Sequence, residues 1–360
     1  MQAIPNRSVW LTVDANGLES AIVKRGSQSN PDARFLSVQR ESEPGESISP
    51  LTEIIKDSSK SILSRNDSPD VGFSVSLNPY RGCEHGCIYC YARPTHEYLD
   101  LSAGQDFESK IFAKYDAASL LRNELSHKRF KPEPIALSGV TDPYQPVERK
   151  LMITRDCIDV LRDFRNPTII ITKNHLVTRD IDYFREMAES NLIRVILSIT
   201  TLDENIRARM EPRTSTIVKR LHALEMLRAN GIQTGILMAP VIPGLTDHEI
   251  PSILRTASDA GAEFAHYVLL RLPHGVKDLF QEWLSLHFPD RKAKILGHLR
   301  EAYGEKLYDS QYGVRGKGEG SFADHVRKLF RISKRKYGLD RPLSPLRSDL
   351  FTPVQGELFR

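Results

Sequence analysis

From Val71 onward the chain alternates short apolar runs with amphipathic stretches of helical period. The apolar runs are Phe73–Leu77, Ile135–Leu137, Thr168–Thr172, Ile193–Ile199, Thr234–Met238 and Ala265–Leu270. Between them Ala117–Leu125, Thr154–Phe164, Asp180–Glu189, Ile217–Ala229 and Ile250–Ala260 carry apolar residues at helical spacing. Gly231 and Gly261 follow the last two stretches as helix stops. Six strands alternating with helices predict parallel β/α units with right-handed crossovers. The alternation fades after Leu270, which argues against a full eight-stranded barrel. Residues 1–70 are polar and weakly periodic, with Gly26–Arg34 and Glu41–Ser47 rich in Gly, Ser, Pro and charge. They read as an extended, partly flexible arm with one short helix near Leu51–Ile62. The expected division is therefore an arm over 1–70, an α/β core over 71–275 and a helical, basic extension over 276–360.

In parallel β/α folds chemistry gathers at the C-terminal ends of strands. Here the first strand leads into a cysteine cluster and the second into Ser138-Gly-Val-Thr141-Asp142-Pro. The third ends at Thr172-Lys173-Asn174-His175 and the fourth at Ser198-Ile-Thr200-Thr201. The fifth ends at Ala239-Pro-Val-Ile-Pro243 and the sixth at Arg271-Leu-Pro-His274. Small and polar groups gathered at one rim suit a polar ligand.

Composition narrows the class. With 360 residues, 40% of them hydrophobic, the chain can bury one large core. No run of about eighteen apolar residues predicts a membrane span, and the N-terminus lacks the apolar stretch of a secretory signal. Three of the four cysteines cluster, so a disulfide scaffold is not expected and a reducing cytoplasm is. The net charge of +4 says little about partners.

The cluster is Arg81-Gly-Cys83-Glu-His-Gly-Cys87-Ile-Tyr89-Cys90-Tyr91-Ala-Arg93. Three thiolates on so short a tether can serve three irons of a [4Fe–4S] cubane and leave the fourth open to a ligand. Zinc is the rival, held by the cysteines with His85 or His96, although no second Cys pair is present. Unligated core thiols are the third reading, disfavoured by the flanking Gly82, Gly86 and charges. Those glycines let a loop wrap a cluster.

The pattern Cys-x3-Cys-x-aromatic-Cys, with Tyr89 as the aromatic, resembles the signature of the radical S-adenosylmethionine (SAM) superfamily, and more closely its spore photoproduct lyase branch. Gly26–Pro31 resembles the Gly-x-x-Ser-Asn-Pro arm of a bacterial group within that branch. The resemblance implies a partial (β/α)6 TIM-like barrel in which Cys83, Cys87 and Cys90 hold a [4Fe–4S] cluster. SAM sits on the open iron, an external flavodoxin or ferredoxin supplies an electron, and a 5′-deoxyadenosyl radical abstracts hydrogen from substrate. Tyr89 would pack near the adenine, and Tyr89 and Tyr91 would take part in radical relay. Lys173, Ser198 and Thr141 would hold the methionine moiety, with Ser138, Asp142 and Ala239 as further SAM contacts; Arg213, in Glu211-Pro-Arg213 after the fourth strand, is a candidate for the SAM ribose or carboxylate and equally part of a charged loop and helix entry. A lysine ammonium pairs with a carboxylate and hydroxyls donate to it. The chain departs from the lyase at Gly139, where that family returns hydrogen from a cysteine. Cys157 lies on an amphipathic helix and reads as core. Asp142 and Glu148 are candidate acids or bases, Asp142 equally a turn cap before Pro143. His175 and His274 read as loop histidines, and Arg271 as a contact for an anionic substrate or a surface ion pair.

Residues 315–347 hold ten Lys/Arg against three Asp/Glu, with Phe322, Phe330 and Tyr337 interleaved. This suits a nucleic-acid backbone and bases. It equally suits an amphipathic helix over Phe322–Tyr337 that packs Val326, Leu329, Phe330 and Ile332 inward. The glycine-rich Tyr312–Gly320 is no phosphate-binding loop of the Gly-x4-Gly-Lys-Ser/Thr kind. The alternative function is a non-catalytic, zinc-dependent nucleic-acid-binding protein.

Overall fold

The computed structural model describes residues 25–35 and 51–353, with the backbone of 11–13 and 19–21. The stretch Glu41–Ser47 and the first ten residues lie outside the described residues.

The core is a seven-stranded sheet. Its strands are β1 (Leu63–Arg65), β2 (Val75–Leu77), β3 (Ile135–Leu137), β4 (Thr168–Thr172), β5 (Ile193–Ser198), β6 (Gln233–Val241) and β7 (Phe264–Leu269). They lie in sequence order across the sheet. β2 to β7 pair in parallel and β1 joins β2 antiparallel. The six expected strands are therefore those observed, in the order expected of β/α units. Among the described residues no pairing joins β7 to β1, so the sheet is a partial barrel. β3 is buried at every position and β5 at all but Arg194, as parallel strands covered on both faces require.

Helices α1 (Ala117–Leu125), α2 (Ile153–Asp163), α3 (Ile181–Glu189), α4 (Ile217–Ala229) and α5 (Ile250–Asp259) alternate with the later strands. In α2 the apolar face Ile153, Cys157, Ile158 and Leu161 is buried, so Cys157 is a core thiol. Thr216 caps α4, accepting from the Lys219 amide at 3.4 Å. Gly231 follows that helix at φ +74°, which favours glycine. Beyond β7 come α6 (Val276–His287), α7 (Pro289–Ala302) and α8 (Gly320–Lys336). Helix α8 packs against α5 and α7 and buries Ala323, Val326, Phe330 and Ser333. Ile332, expected inward, is 52% exposed: it is rotated about 100° round the helix from Ser333, off the face that residues 326, 330 and 333 share. Among the described residues no helix is long and apolar enough to cross a membrane.

The helix expected near Leu51–Ile62 is not formed. Glu53–Lys56 is a strand, parallel to Lys110–Ala113, and Tyr80–Arg81 pairs antiparallel on the other side of that segment. The β-branched pair Ile54–Ile55 suits a strand, and its partner lies far along the chain, where local periodicity carries no sign of it. The described part of the polar arm is seated on the core: Arg34 pairs with Glu97 at 2.6 Å, and Asp70 with Arg315 at 2.6 Å.

Candidate active site

The cysteine loop leaves Tyr80–Arg81 and is held by backbone on several sides. The Cys83 amide donates to Phe107 O at 2.9 Å, the Cys90 amide to Cys87 O at 3.1 Å, and the Ile88 amide to Met210 O at 3.0 Å. Gly82 and Gly86 stand at φ +79° and +64°. A Cβ on Gly86 would meet Glu108 Oε2 at 2.6 Å, so the loop can close only with glycine there. Behind it Arg93, fully buried, donates to Cys87 O at 3.0 Å, to Gly104 O at 2.8 Å and to the Glu108 carboxylate. Glu108 also receives the amides of Gly26 at 2.8 Å and Ser27 at 2.7 Å. The segment beginning at Arg25 is thus a strap across the back of the loop. The motif Gly26–Pro31 marked the segment, but nothing in it pointed to Glu108 as its anchor.

The three thiols face one cleft. It is lined by Cys83, Cys87, Cys90, Tyr89 and Tyr91 from the loop and by residues from the ends of β3 to β7. Those strand-end residues include Ser138, Thr141, Asp142, Lys173, Ser198, Ala239 and Arg271. Arg213 is the exception among the expected site residues. Its guanidinium pairs with Glu84 at 2.7 Å and donates to Thr52 at 3.2 Å, because its amide is tied to His85 O and the side chain turns behind the loop.

Several lining residues prove to be fasteners. Both Asp142 oxygens are taken. Oδ1 accepts from Thr172 Oγ1 at 2.6 Å and the Tyr144 amide at 2.9 Å, and Oδ2 from the Lys173 amide at 2.8 Å with His85 Nδ1 at 3.3 Å. Burial opposes the charge, yet His85 and these hydrogen bonds hold the carboxyl down to about 2. Asp142 therefore caps the turn and clamps the ends of the two strands. Thr141 donates to Gly82 O at 2.6 Å, and Gln145, which sequence reasoning missed, donates to Thr141 at 3.0 Å and accepts the Glu84 amide at 2.8 Å. Together they pin the cysteine loop to the end of β3.

Tyr89 is buried, and its hydroxyl donates to Glu211. Glu211, fully buried, also accepts from Thr200 at 2.9 Å and Arg220 at 2.5 Å. Burial opposes ionisation here as well, but Arg220 and Lys173 draw the carboxyl down to about 2. This fixed anion holds the Tyr89 ring against the cleft. Arg220, buried inside α4, gave no sign in the sequence of reaching back to Glu211.

Lys173 is the cation beside the thiols. Its Nζ lies 3.4 Å from Ala239 O and 5.8 Å from the centre of the Tyr89 ring. The β6–β7 register shifts between Met238 and Val241, which leaves the Ala239 carbonyl to the lysine. Nearer the mouth, Tyr91 donates to Gly139 O at 2.6 Å and the Arg271 guanidinium stands 4.9 Å over its ring. Gly139 sits on the cleft wall. Glu148, a candidate acid or base, is buried elsewhere between Tyr80 and Arg179. His175 stacks on His222 away from the cleft lining.

The donor set suits an iron–sulfur cluster better than a single ion. All three cysteines are free thiols lining one cleft. Burial pushes each thiol up, while Lys173 pulls Cys87 and Cys90 back toward thiolate. Among the described residues no three His, Cys, Asp or Glu side chains converge closely enough for one metal ion. Thiolates on different irons of a cubane stand farther apart than ligands of a single zinc. Both histidines of the zinc reading are engaged. His85 contacts Asp142 and Asn174 at 3.3 and 3.2 Å, and His96 donates to Lys110 O at 2.9 Å between Phe107 and Phe112.

A family model described as "Radical SAM superfamily" matches residues 77–257. An uncharacterized protein of Mycobacterium tuberculosis is 32% identical over 292 residues, covering 80% of this chain and 82% of that protein. An uncharacterized protein of Methanocaldococcus jannaschii is 32% identical over 197 residues, 55% of this chain and 71% of that one. The fold is similar to that of a spore photoproduct lyase complexed with dinucleoside spore photoproduct. That match has a TM-score of 0.54 at 14% identity and covers 83% of this chain and 85% of that one.

Proposed function

Since the chain belongs to the radical SAM superfamily, and is thereby an enzyme that uses a [4Fe–4S] cluster and SAM, we propose that Cys83, Cys87 and Cys90 carry the cluster and that the substrate is a nucleic-acid base. When bound, the cluster supplies the electron that cleaves SAM to a 5′-deoxyadenosyl radical. Such enzymes draw that electron from an external reductant, here of the flavodoxin or ferredoxin type.

The protein's own share is to bind, orient and exclude water. Lys173 pairs with the SAM carboxylate beside the thiols, and Ser198, Ser138 and the Ala239 carbonyl border the same end of the cleft. Tyr89, held by Glu211, presents its ring to the adenine. Thr141 and Asp142 act one step removed: they fix the loop and the Lys173 backbone. Tyr91 stands at the mouth, between the SAM end and the substrate. With Gly139 on the wall and Cys157 shut in the core, the reaction here ends without hydrogen return from a protein thiol at either position.

The observation that carries this reading is that three free thiols and one lysine cation share a single cleft at the ends of parallel strands. The nucleic-acid part rests on the fold shared with a lyase complexed with a dinucleoside and on the cationic mouth. The test is anaerobic reconstitution with iron and sulfide, reduction with dithionite, and assay of 5′-deoxyadenosine with and without a thymidine-containing oligonucleotide. Release that rises with the oligonucleotide is expected. No release overturns the enzyme assignment, and release indifferent to nucleic acid overturns the substrate class.

A further inference from the structure

Two cations stand at different depths of the cleft. Lys173 lies at the thiol end, and Arg271, just past β7, at the mouth over the Tyr91 ring. The remaining charged groups on the lining are His85 and Asp142, which face each other. Asp142 is fully used by Thr172, Tyr144 and Lys173, so no carboxylate on the lining is free to meet Arg271. Among the described residues its Nε is shut from water without an acceptor. Nearby Arg315, by contrast, donates its Nε to Asp70 at 2.6 Å. Shielded donors in folded proteins are nearly always paired, and an exception calls for a partner such as a water, an ion or a ligand.

We propose that Arg271 is the phosphate anchor of the substrate, taking a nucleotide phosphate in its guanidinium fork while the base lies deeper, toward the thiols. This rests on the nucleic-acid reading above. One cleft with two cations accommodates two anionic groups, and the SAM carboxylate accounts for the deeper one at Lys173. A planar fork of N–H donors matches phosphate oxygens two at a time. The Tyr91 ring fixes the plane of the guanidinium, and Tyr91 is itself fixed by its bond to Gly139 O.

The test uses the reconstituted full-length protein with SAM and a fluorescein-labelled single-stranded thymidine hexamer, followed by anisotropy across a salt series. Arg271→Met is expected to weaken hexamer binding about tenfold or more and to lower the salt slope by about 0.7. Arg271→Lys should recover part of the affinity, and SAM affinity measured by dialysis should stay within about twofold. Equal iron content and melting temperature in the variants exclude misfolding. If Arg271→Met binds the hexamer as the unaltered protein does, the anchor is overturned and the nucleic-acid reading stands. If SAM affinity falls instead, the arginine belongs to SAM and the proposal fails. If the unaltered protein does not bind the hexamer, the nucleic-acid reading and the phosphate anchor fall together.

Discussion

Gly26 rests on Gly86 so closely that a Cβ on the first would stand 1.6 Å from the carbonyl oxygen of the second. The strap and the cysteine loop meet backbone to backbone, and both lean on the buried Glu108. Gly26→Ala must lift the strap off the loop, an overpacking expected to cost about 1–3 kcal/mol. Iron bound per chain after anaerobic reconstitution should fall with it. Gly72→Ala, with nothing within 4 Å of the new atom, should change neither stability nor iron content. Equal iron in both variants would leave the strap without a role in holding the loop.

His96 makes stability depend on pH. Burial holds its imidazole at about 4, below the ordinary value of 6.5, and among the described residues Nδ1 has no hydrogen-bond partner. As pH falls below 6.5 the unfolded chain takes up the proton first, so the stabilisation is whole above that value and is lost toward pH 4. The ceiling is about 3 kcal/mol. His96→Gln keeps a donor for Lys110 O and removes the titration. Urea midpoints between pH 7 and 4.5 should slope less in the variant, and an unchanged slope would rule His96 out as the cause.

Lys173→Met removes the cation at the thiol end of the cleft. A charge-assisted contact of this kind is worth about 1.5–3 kcal/mol, so SAM affinity should drop roughly 10- to 100-fold. Equilibrium dialysis of SAM against reconstituted protein of matched iron content reads this directly. Undiminished affinity would take Lys173 out of the SAM site.

The basic tail sits at the wrong pole to feed the cleft. Helix α8 starts beside the end of β7, where the Leu269 amide bonds Gly316 O. It runs back toward the start of β7, where Asp340 bridges Phe264 and Ser258 donates to Tyr337 O. Lys334, Arg335 and Lys336 are therefore near the foot of the sheet, while Arg271 is at its rim. Replacing all three by Ala should weaken hexamer binding by no more than about threefold through lost long-range attraction. A loss larger than that of Arg271→Met would place the nucleic acid on the tail instead.

The strands and the cysteine cluster were legible because their signals are local. Ile135–Leu137, Thr168–Thr172 and the Ala117–Leu125 helix are short, strongly patterned and bounded by turns. The parallel order of the sheet then brought Ser138, Lys173, Ser198 and Arg271 to one rim. What stayed hidden depends on distant pairing. Glu53–Lys56 becomes a strand only because Lys110–Ala113 lies beside it. Glu108 gains its role only when the strap crosses the loop, and Arg220 only when α4 turns it toward Glu211. Arg213 was misplaced for the same reason: its position after β5 was readable, but not the pull of Glu84.

The central claim is that Cys83, Cys87 and Cys90 together hold the cluster that cleaves SAM. Its most direct test measures iron content and 5′-deoxyadenosine release, after anaerobic reconstitution and reduction, in single Ser variants of each. Cys157→Ala serves as the control. Each of the three replacements is expected to abolish the reducible cluster and nucleoside release, with Cys157→Ala retaining both. Full iron content and undiminished release in any one of the three would contradict the account.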